Sequence, residues 1–433
     1  MHANGWPPSP PTPRLGPALL GAWLLMLFTF SVPGREGPST VGGMDLIALA
    51  KLATRGVVFV ILVAALVRSW GHPRRPLVGW CLAPFALFLG WCFVSVLWSP
   101  LQTVSVGQAS GLLVLVLLTA VLGLAGVGRR GTSTVLCHLS GALLLMSAVL
   151  LAVHLVAPDA SGLSREPAGD EGSLGLMHPT SAGSTAALGL IMLTAGRLLW
   201  GWRWSRVLLV PGVGVHGAVL LLAASRTAVI LATVAVAALV AVCIPRRWLA
   251  RSLVAVSIAG TTYLVLDPSL DVVEGMSRSV TVYLRRGESA ELILTLTGRT
   301  DLWEAIWKSF QESPLIGHGY FVTSRTGEIN VWSGPANRTA HNVLLQVLVT
   351  TGLVGGGLFL WGLGRPVAAA GRDLGGKRGT VRLAVFLTVI GLWYMGWGQL
   401  CESFMGPVQP EAVVFFTVLG LAIGAVPVGR AEP

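Results

Sequence analysis

Residues 207–244 read VLLVPGVGVHGAVLLLAASRTAVILATVAVAALVAVCI, a stretch of 38 residues whose apolar character is broken by Ser225, Arg226 and Thr227. One straight helix of that length would extend roughly 57 Å, nearly twice the thickness of the hydrocarbon core of a bilayer. Arginines flank the stretch on both sides. Because basic flanks stay on the cytoplasmic side, the stretch crosses the membrane an even number of times. It therefore predicts two transmembrane helices with Arg226 at the turn between them.

The rest of the chain has the same character. Of its 433 residues, 53% are hydrophobic and 11% are charged, whereas soluble domains carry about a quarter charged residues. Apolar runs of about 20 residues predict twelve transmembrane spans. These spans are 15–32, 45–67, 80–98, 109–127, 135–156, 180–200, 207–225, 227–244, 249–266, 342–362, 381–398 and 412–426. The predicted fold class is an all-α polytopic membrane protein.

The charges predict the orientation of these spans. With the N-terminus inside, the inner segments hold 18 of the 30 basic residues and two of the 19 acidic ones. The net charge of +11 therefore follows topology and does not require nucleic-acid binding. An alternative for the first span is a cleaved signal peptide, but no small-x-small site follows it, and we expect it to be retained.

The predicted organisation has four parts. Residues 1–14 form a disordered cytoplasmic tail, and 15–266 contain the first nine spans. Residues 267–341 form one large extracytoplasmic loop, and 342–433 contain the last three spans with a short cytoplasmic tail. A loop of 75 residues is expected to contain helices of its own.

One such helix is predicted from Asp301 onwards, where apolar residues follow helical spacing until Pro314. Asp301 and Glu304 have the spacing of a capping box. That assignment places Arg299 just ahead of a helix N-terminus, where a phosphate would be stabilised. The alternative is that Arg299 braces loop residues such as Asp301 or Glu304.

Other basic residues lie at the outer ends of spans. Lys51 and Arg55 are four apart and share a helix face, which we expect to turn towards a polar cavity. For Lys51, snorkelling to lipid headgroups is the alternative. A lone interfacial histidine such as His341 is usually structural. His341, however, is predicted on the same outer face of the membrane as Arg226 and Arg299. The candidate ligands of an anion at the outer leaflet are Lys51, Arg55, Arg226 and Arg299.

No metal or other cofactor is expected. The five cysteines are scattered through the spans without a CxxC pair, which is typical of small apolar filler. The sequence contains no HExxH motif and no close aspartate pair that would hold a divalent metal with a nucleotide sugar.

Seven short motifs occur in a fixed order from residue 94 towards the last span. They are VSVLWSP (94–100), GLMHP (175–179), ASRT (224–227), TGRTDLW (297–303), SPLIGHGY (313–320), AHN (340–342) and TGLVG (351–355). In this order they resemble the O-antigen ligase and O-antigen polymerase family of bacterial envelope proteins. The N-terminal quarter of the chain shows little similarity to the family.

The resemblance implies a GT-C-like fold and an inverting, metal-independent glycosyltransferase whose donor is a glycan linked through diphosphate to undecaprenol. It also implies that Arg226 and Arg299 hold the diphosphate and that His341 deprotonates the acceptor hydroxyl. Elementary chemistry is compatible with these roles, because a diphosphate leaving group needs positive charge and a hydroxyl needs a base. Arginine keeps its charge and grips phosphate oxygens in pairs.

Four further residues are expected to support this site. Asn342 and His178 belong to family-like motifs, and Glu402 lies where related sequences often carry a glutamate. We expect Glu402 to bind sugar or to orient an arginine. Arg338 lies three residues before His341 but matches no family motif. The two basic residues of the second span are assigned to the diphosphate by their position.

The acceptor distinguishes several alternatives. A ligase moves the finished polymer to lipid A core, a polymerase joins repeat units, and a related enzyme glycosylates protein. Twelve spans with one dominant outer loop between the ninth and tenth resemble the ligase, and an O-antigen or exopolysaccharide polymerase is the alternative. A secondary transporter is the competing class, but no internal repeat is seen.

The expected partners follow from these assignments. They are the undecaprenyl-diphosphate-linked glycan, lipid A core or a growing glycan as acceptor, and membrane lipids, with no nucleic acid. The expected location is the bacterial inner membrane, with the active site facing the periplasm.

Overall fold

The computed structural model describes residues 15–30, 46–126, 129–163, 175–202, 204–243, 299–334, 338–373, 378–401 and 408–426. Over these residues the chain is almost entirely helical, which confirms the all-α polytopic membrane fold. The predicted ninth span, residues 267–298 of the large outer loop, and Glu402 lie outside the described residues.

The helices have the following bounds. They are α1 (Gly16–Leu27), α2 (Leu46–Arg68), α3 (Arg75–Val94), α4 (Gln102–Ala125), α5 (Arg129–Val156), α6 (Pro158–Ser161), α7 (Pro179–Ala195), α8 (Trp204–Leu222), α9 (Arg226–Cys243), α10 (Arg299–Glu312), α11 (Val343–Asp373), α12 (Arg378–Gly398) and α13 (Pro410–Ala425). Short helical turns extend α1, α3 and α7 at Phe28–Phe30, Ser95–Trp98 and Gly196–Trp200. Two short antiparallel strands, β1 (Arg325–Thr326) and β2 (Ile329–Asn330), form a hairpin after α10.

Seven helical segments within the described residues are long and apolar enough to cross a membrane. They are Leu49–Arg68, Arg75–Trp98, Gln102–Ala125, Gly131–Val156, Pro179–Trp200, Arg226–Cys243 and Val343–Pro366. Shorter apolar helices at Gly16–Phe30, Val207–Leu222, Arg382–Gly398 and Pro410–Ala425 coincide with the predicted first, seventh, eleventh and twelfth spans. Every predicted span except the ninth therefore falls on an apolar helix.

The long apolar stretch breaks where its sequence predicts. Helix α8 ends at Leu222 and α9 begins at Arg226, and Ala224 between them has a φ of 45°. Both helices pack extensively against α7 and little against each other. At the turn, a Cβ atom added to Gly183 of α7 would lie 2.8 Å from the Cβ of Ser225. The absence of a side chain at this glycine thus allows the turn to approach α7 closely.

The centre of the bundle is α4, which packs against α13, α3 and α2. Thr119 of α4 lies in this core and donates its hydroxyl to the carbonyl of Phe416 at 2.8 Å. Small residues and hydrogen bonds from hydroxyl groups hold helices together in lipid, where burial of apolar surface contributes little to helix association. At the other end of α13, Arg74 donates to the carbonyls of Gly424 and Val426 at 2.7 and 3.0 Å.

Helix α11 is broken at Gly352, which has a φ of 68° and a ψ of −170°. The break frees backbone groups that a continuous helix would pair internally, and in a membrane these groups need partners. Residues 314–319 supply most of them. The bonds run from His318 N to Val349 O (3.0 Å), Gly319 N to Thr350 O (2.9 Å), Leu353 N to Pro314 O (2.8 Å) and Val354 N to Leu315 O (3.3 Å).

A side chain completes the pairing at this break. The indole Nε1 of Trp91 in α3 donates to the carbonyl of Thr351 at 2.9 Å. A Cβ atom at Gly352 would overlap the carbonyl group of Leu315, so a glycine is required both by its φ and by the close approach of the loop. The SPLIGHGY and TGLVG motifs are therefore two halves of one structural unit.

Candidate functional site

The AHN segment lies at the start of α11. Its histidine, His341, is the predicted base; it is half-buried and has a φ of 47°. The residue before it, Ala340, is fully buried, and both of its backbone polar groups are bound. Its N–H donates to Oε1 of Gln346 at 2.8 Å, and its carbonyl accepts from Nε1 of Trp303 at 2.9 Å. The backbone immediately before His341 is therefore held in place by two hydrogen bonds.

Asn342 fixes the chain on the other side of the histidine. Its Oδ1 accepts from the N–H groups of Leu344 and Leu345, both at 3.0 Å, and so caps α11. Its Nδ2 donates to the carbonyl of Gln399 at 3.2 Å. This bond ties the start of α11 to the end of α12.

Arg226 is half-buried and is the first residue of α9. Helix α9 packs along α12, where a Cβ atom on Gly396 would lie 2.8 Å from Leu231. Leu231 lies five residues after Arg226, and Gly396 lies three residues before Gln399, the partner of Asn342. The turn that holds Ser225 and Arg226, here called the SR turn, and the AHN segment thus lie towards the same end of α12.

Arg299 is the first described residue of α10 and is half-buried. Trp303, whose indole binds Ala340, lies four residues later, so both side chains lie on one face of the helix. Helix α10 packs against α11. The structure therefore places Arg299 on the face of α10 that meets the AHN segment.

The predicted capping box was wrong. Asp301 lies inside the first described turn of α10 and is exposed, so it is not the residue that precedes the helix. Glu304 does not reach back either, because its carboxylate pairs with Nζ of Lys308 at 2.7 Å, one turn further on. The hydrogen bond from Lys308 lowers the pKa of the Glu304 carboxyl. Local i, i+4 pairing prevailed at this exposed position over capping.

Arg55 belongs to a second group of contacts, built on α2 and α4. Its Nη1 donates to the carbonyl of Gly107 at 2.6 Å, and its guanidinium lies 5.9 Å from the centre of the Phe28 ring. Burial raises the pKa of the Tyr320 phenol well above its usual range, and the positive charge of Arg55 opposes this rise. Lys51, one turn earlier in α2, is half-buried.

Tyr320 connects this second group to the motif that ends α3. Its N–H donates to Oγ of Ser95 at 2.9 Å, and its carbonyl accepts from Oγ of Ser105 at 2.7 Å. Ser99 completes the network through a 2.7 Å contact with Ser105. The polar residues of VSVLWSP and of early α4 therefore hold the loop that follows α10.

The remaining predicted supporting residues lie in different settings. His178 is exposed and caps α7, with its Nδ1 accepting from the N–H of Thr180 at 3.2 Å. The Arg338 side chain is exposed, and its backbone is bound by Ser324, which receives the Arg338 N–H on its Oγ at 3.0 Å. Glu402 lies outside the described residues.

Sequence reasoning did not single out Gln346 or the indole nitrogen of Trp303. Trp303 was assigned to the apolar face of a helix, which conceals the hydrogen bond that its ring makes. Gln346 did carry a signal, because it is a buried amide inside an apolar span. Buried polar groups in such a setting have partners to hold.

Within the described ranges, no group of three His, Cys, Asp or Glu side chains could hold a metal ion. Residues 212–360 match the family model described as O-Antigen ligase. The matched region contains the SR turn, α10, the AHN segment and the break in α11. The match confirms the family predicted from the motifs, over these residues. No curated protein matches the chain.

Proposed function

The chain carries a domain of the O-antigen ligase family, and we therefore propose that it is a glycosyltransferase of the bacterial inner membrane. It moves a glycan from undecaprenyl diphosphate to an acceptor hydroxyl at the periplasmic face. The observation that carries this proposal is the bond between Trp303 and Ala340, because it joins the helix of Arg299 to the segment of His341. The bond supports a site in which Arg299, the proposed diphosphate-binding residue, and His341, the proposed base, act together.

In the proposed reaction, the acceptor oxygen attacks the anomeric carbon of the donor glycan from the side opposite the diphosphate. The bond between that carbon and the diphosphate oxygen breaks, its electron pair leaves with the diphosphate, and the configuration inverts. His341 takes the hydroxyl proton as the new bond forms. Arg226 and Arg299 stabilise the negative charge that develops on the leaving group.

Arg55 and Lys51 provide further positive charge for the donor diphosphate. Arg55 uses one guanidinium nitrogen to bind Gly107, while its buried Nε has no hydrogen-bond partner among the described residues. A buried N–H of a charged group without a partner is costly. An incoming phosphate oxygen would satisfy it, which supports a role of Arg55 at the donor.

The proposed acceptor is lipid A core, as in a ligase. A growing glycan, as in a polymerase of O-antigen or exopolysaccharide, is the alternative with the same donor and the same chemistry. Asn342, His178, Arg338 and Glu402 are proposed to support the site by shaping the helix ends and binding sugar.

The test uses purified protein, a donor glycan on undecaprenyl diphosphate, and a panel of acceptors. His341→Ala should lower kcat by about 10² to 10⁴, because it removes the base, and Arg226→Ala by about 10² or more, because it removes leaving-group charge. Arg325→Ala is the matched control, since Arg325 is exposed on β1. Turnover should persist after exhaustive chelation.

Wild-type turnover by both site variants would contradict the assignments. The acceptor that becomes glycosylated identifies the reaction, because lipid A core is the acceptor of a ligase and a glycan that of a polymerase. Transport of the donor without glycosyl transfer would contradict the proposal that the protein is an enzyme.

A further inference from the structure

Ala340 is bound from two sides by residues that come from different elements. Its N–H is held by Gln346 of α11 at 2.8 Å, and its carbonyl by Trp303 of α10 at 2.9 Å. The residue is completely buried and its methyl group carries no chemistry. The two bonds thus act on the backbone, and their effect passes to the next residue, His341.

The backbone of His341 is in the left-handed region, with a φ of 47°. A residue that is not glycine is kept in this conformation by its surroundings. Here the surroundings are the two bonds to Ala340 before it and the Asn342 cap after it. The direction in which the imidazole leaves the backbone is consequently set by its neighbours.

Gln346 extends this arrangement to the loop after α10. It is buried, and its Nε2 donates to the carbonyl of Val322 at 2.8 Å while its Oε1 receives the Ala340 N–H. The amide therefore uses both of its ends, and its orientation is determined by the two partners. Val322 follows Tyr320, which is bound to Ser95 and Ser105.

We propose that Trp303 and Gln346 are positioning residues that clamp Ala340 and thereby direct the His341 imidazole towards the acceptor hydroxyl. This inference rests on the proposed role of His341 as the base. Because Trp303 shares its helix face with Arg299, the clamp also fixes the position of His341 relative to Arg299, the proposed diphosphate-binding residue. The distance between the base and the leaving group is then maintained by two hydrogen bonds to one residue.

The variants remove the bonds with little change of shape. Trp303→Phe removes the indole N–H, and Gln346→Met removes both amide contacts. Each should lower kcat by about tenfold or more, because small displacements of a reacting group reduce rate strongly. KM for donor and acceptor should stay within about twofold, since neither residue binds substrate. Trp307→Phe is the matched control, because Trp307 lies one turn further on α10 and is 46% exposed.

Two further measurements separate positioning from loss of fold. Hydrogen exchange of the Ala340 amide should accelerate in Gln346→Met and not in Trp307→Phe, a result that does not depend on turnover. In the His341→Ala background, Trp303→Phe should cause no additional loss of residual transfer, because its effect passes through the absent imidazole.

The outcomes also separate this inference from the proposed function. If His341→Ala is inactive while Trp303→Phe and Gln346→Met have wild-type kcat, the clamp is overturned and the base assignment stands. If His341→Ala is fully active, the proposed function fails at its base, and the clamp loses its catalytic meaning with it. An unchanged Ala340 exchange rate in Gln346→Met would contradict the clamp on structural grounds alone.

Discussion

Asn342 illustrates how one side chain serves two purposes at the residue scale. Its Oδ1 caps α11 through two backbone N–H groups, whereas its Nδ2 reaches the Gln399 carbonyl. The sequence motif indicates that an asparagine is needed, but it does not separate these contacts. Its predicted role as a supporting residue of the site stays a prediction.

Substitutions of Asn342 can separate the two contacts. Asn342→Asp retains the cap oxygen and removes the donor to Gln399, whereas Asn342→Ala removes both. We expect Asn342→Ala to destabilise the folded protein by ~1 kcal/mol or more, because a helix cap is lost, and Asn342→Asp to lose less. Thermal unfolding in detergent measures the difference, and equal losses in the two variants would show that the cap contributes nothing.

Sequence motifs point to residue types at the proposed site, whereas they say nothing of the backbone that holds these residues. The motifs nominate the two arginines and the histidine, because the proposed chemistry depends on residue type, and the roles of these residues stay predictions. The positive φ angles of Ala224 and His341 were not foreseen, since only a few per cent of residues other than glycine adopt the left-handed region. The contacts of Trp303 and Gln346 were missed because both side chains bind backbone groups, which carry no sequence signal, and Trp303 lies 37 residues from its partner Ala340.

At the scale of elements, the break in α11 decides where the outer loop lies. Residues 314–319 bind the backbone on both sides of Gly352, so the loop is fixed to the membrane helix along this length. The apolar run over 342–362 predicted a continuous span. The break was not foreseen, because glycines in membrane helices commonly serve helix packing and three more follow at 355–357.

The requirement for glycine at the break can be tested within one helix. Gly352→Ala should destabilise the protein by ~2 kcal/mol or more, because alanine is strained at this positive φ and its Cβ overlaps the Leu315 carbonyl. Gly357→Ala is the matched control, because no atom lies within 4 Å of a Cβ added there. The measurement is the unfolding temperature of each variant in detergent. Equal stability of the two variants would contradict the tight loop contact.

At the scale of the whole molecule, basic residues lie at the end of the bundle that the charge pattern predicts to be cytoplasmic. Arg74 binds the end of α13, and Arg365 of α11 lies 3.7 Å from the centre of the Trp80 ring. The span positions were foreseen because hydropathy is a local property of the chain. Which helices neighbour one another was not foreseen, because small residues and hydroxyl bonds decide it.

The orientation can be tested by labelling single cysteines in a background without the five native ones. Lys308→Cys, at an exposed position of α10, should react with a membrane-impermeant maleimide added to spheroplasts. Pro73→Cys, between α2 and α3, should react only after the membrane is permeabilised, because positive loops stay inside. The reverse pattern would place the candidate site in the cytoplasm and contradict the proposed acceptor.

The contact between Arg74 and Gly424 joins positions 350 residues apart. At ribosomal speeds of about 5 to 20 residues per second, roughly 20 to 70 s pass between the synthesis of the two partners. For most of that interval α4 has already been made, whereas its main packing partner α13 has not. In the finished bundle this face of α4 is covered by α13, so we expect apolar lipid chains to cover it until the last helix inserts.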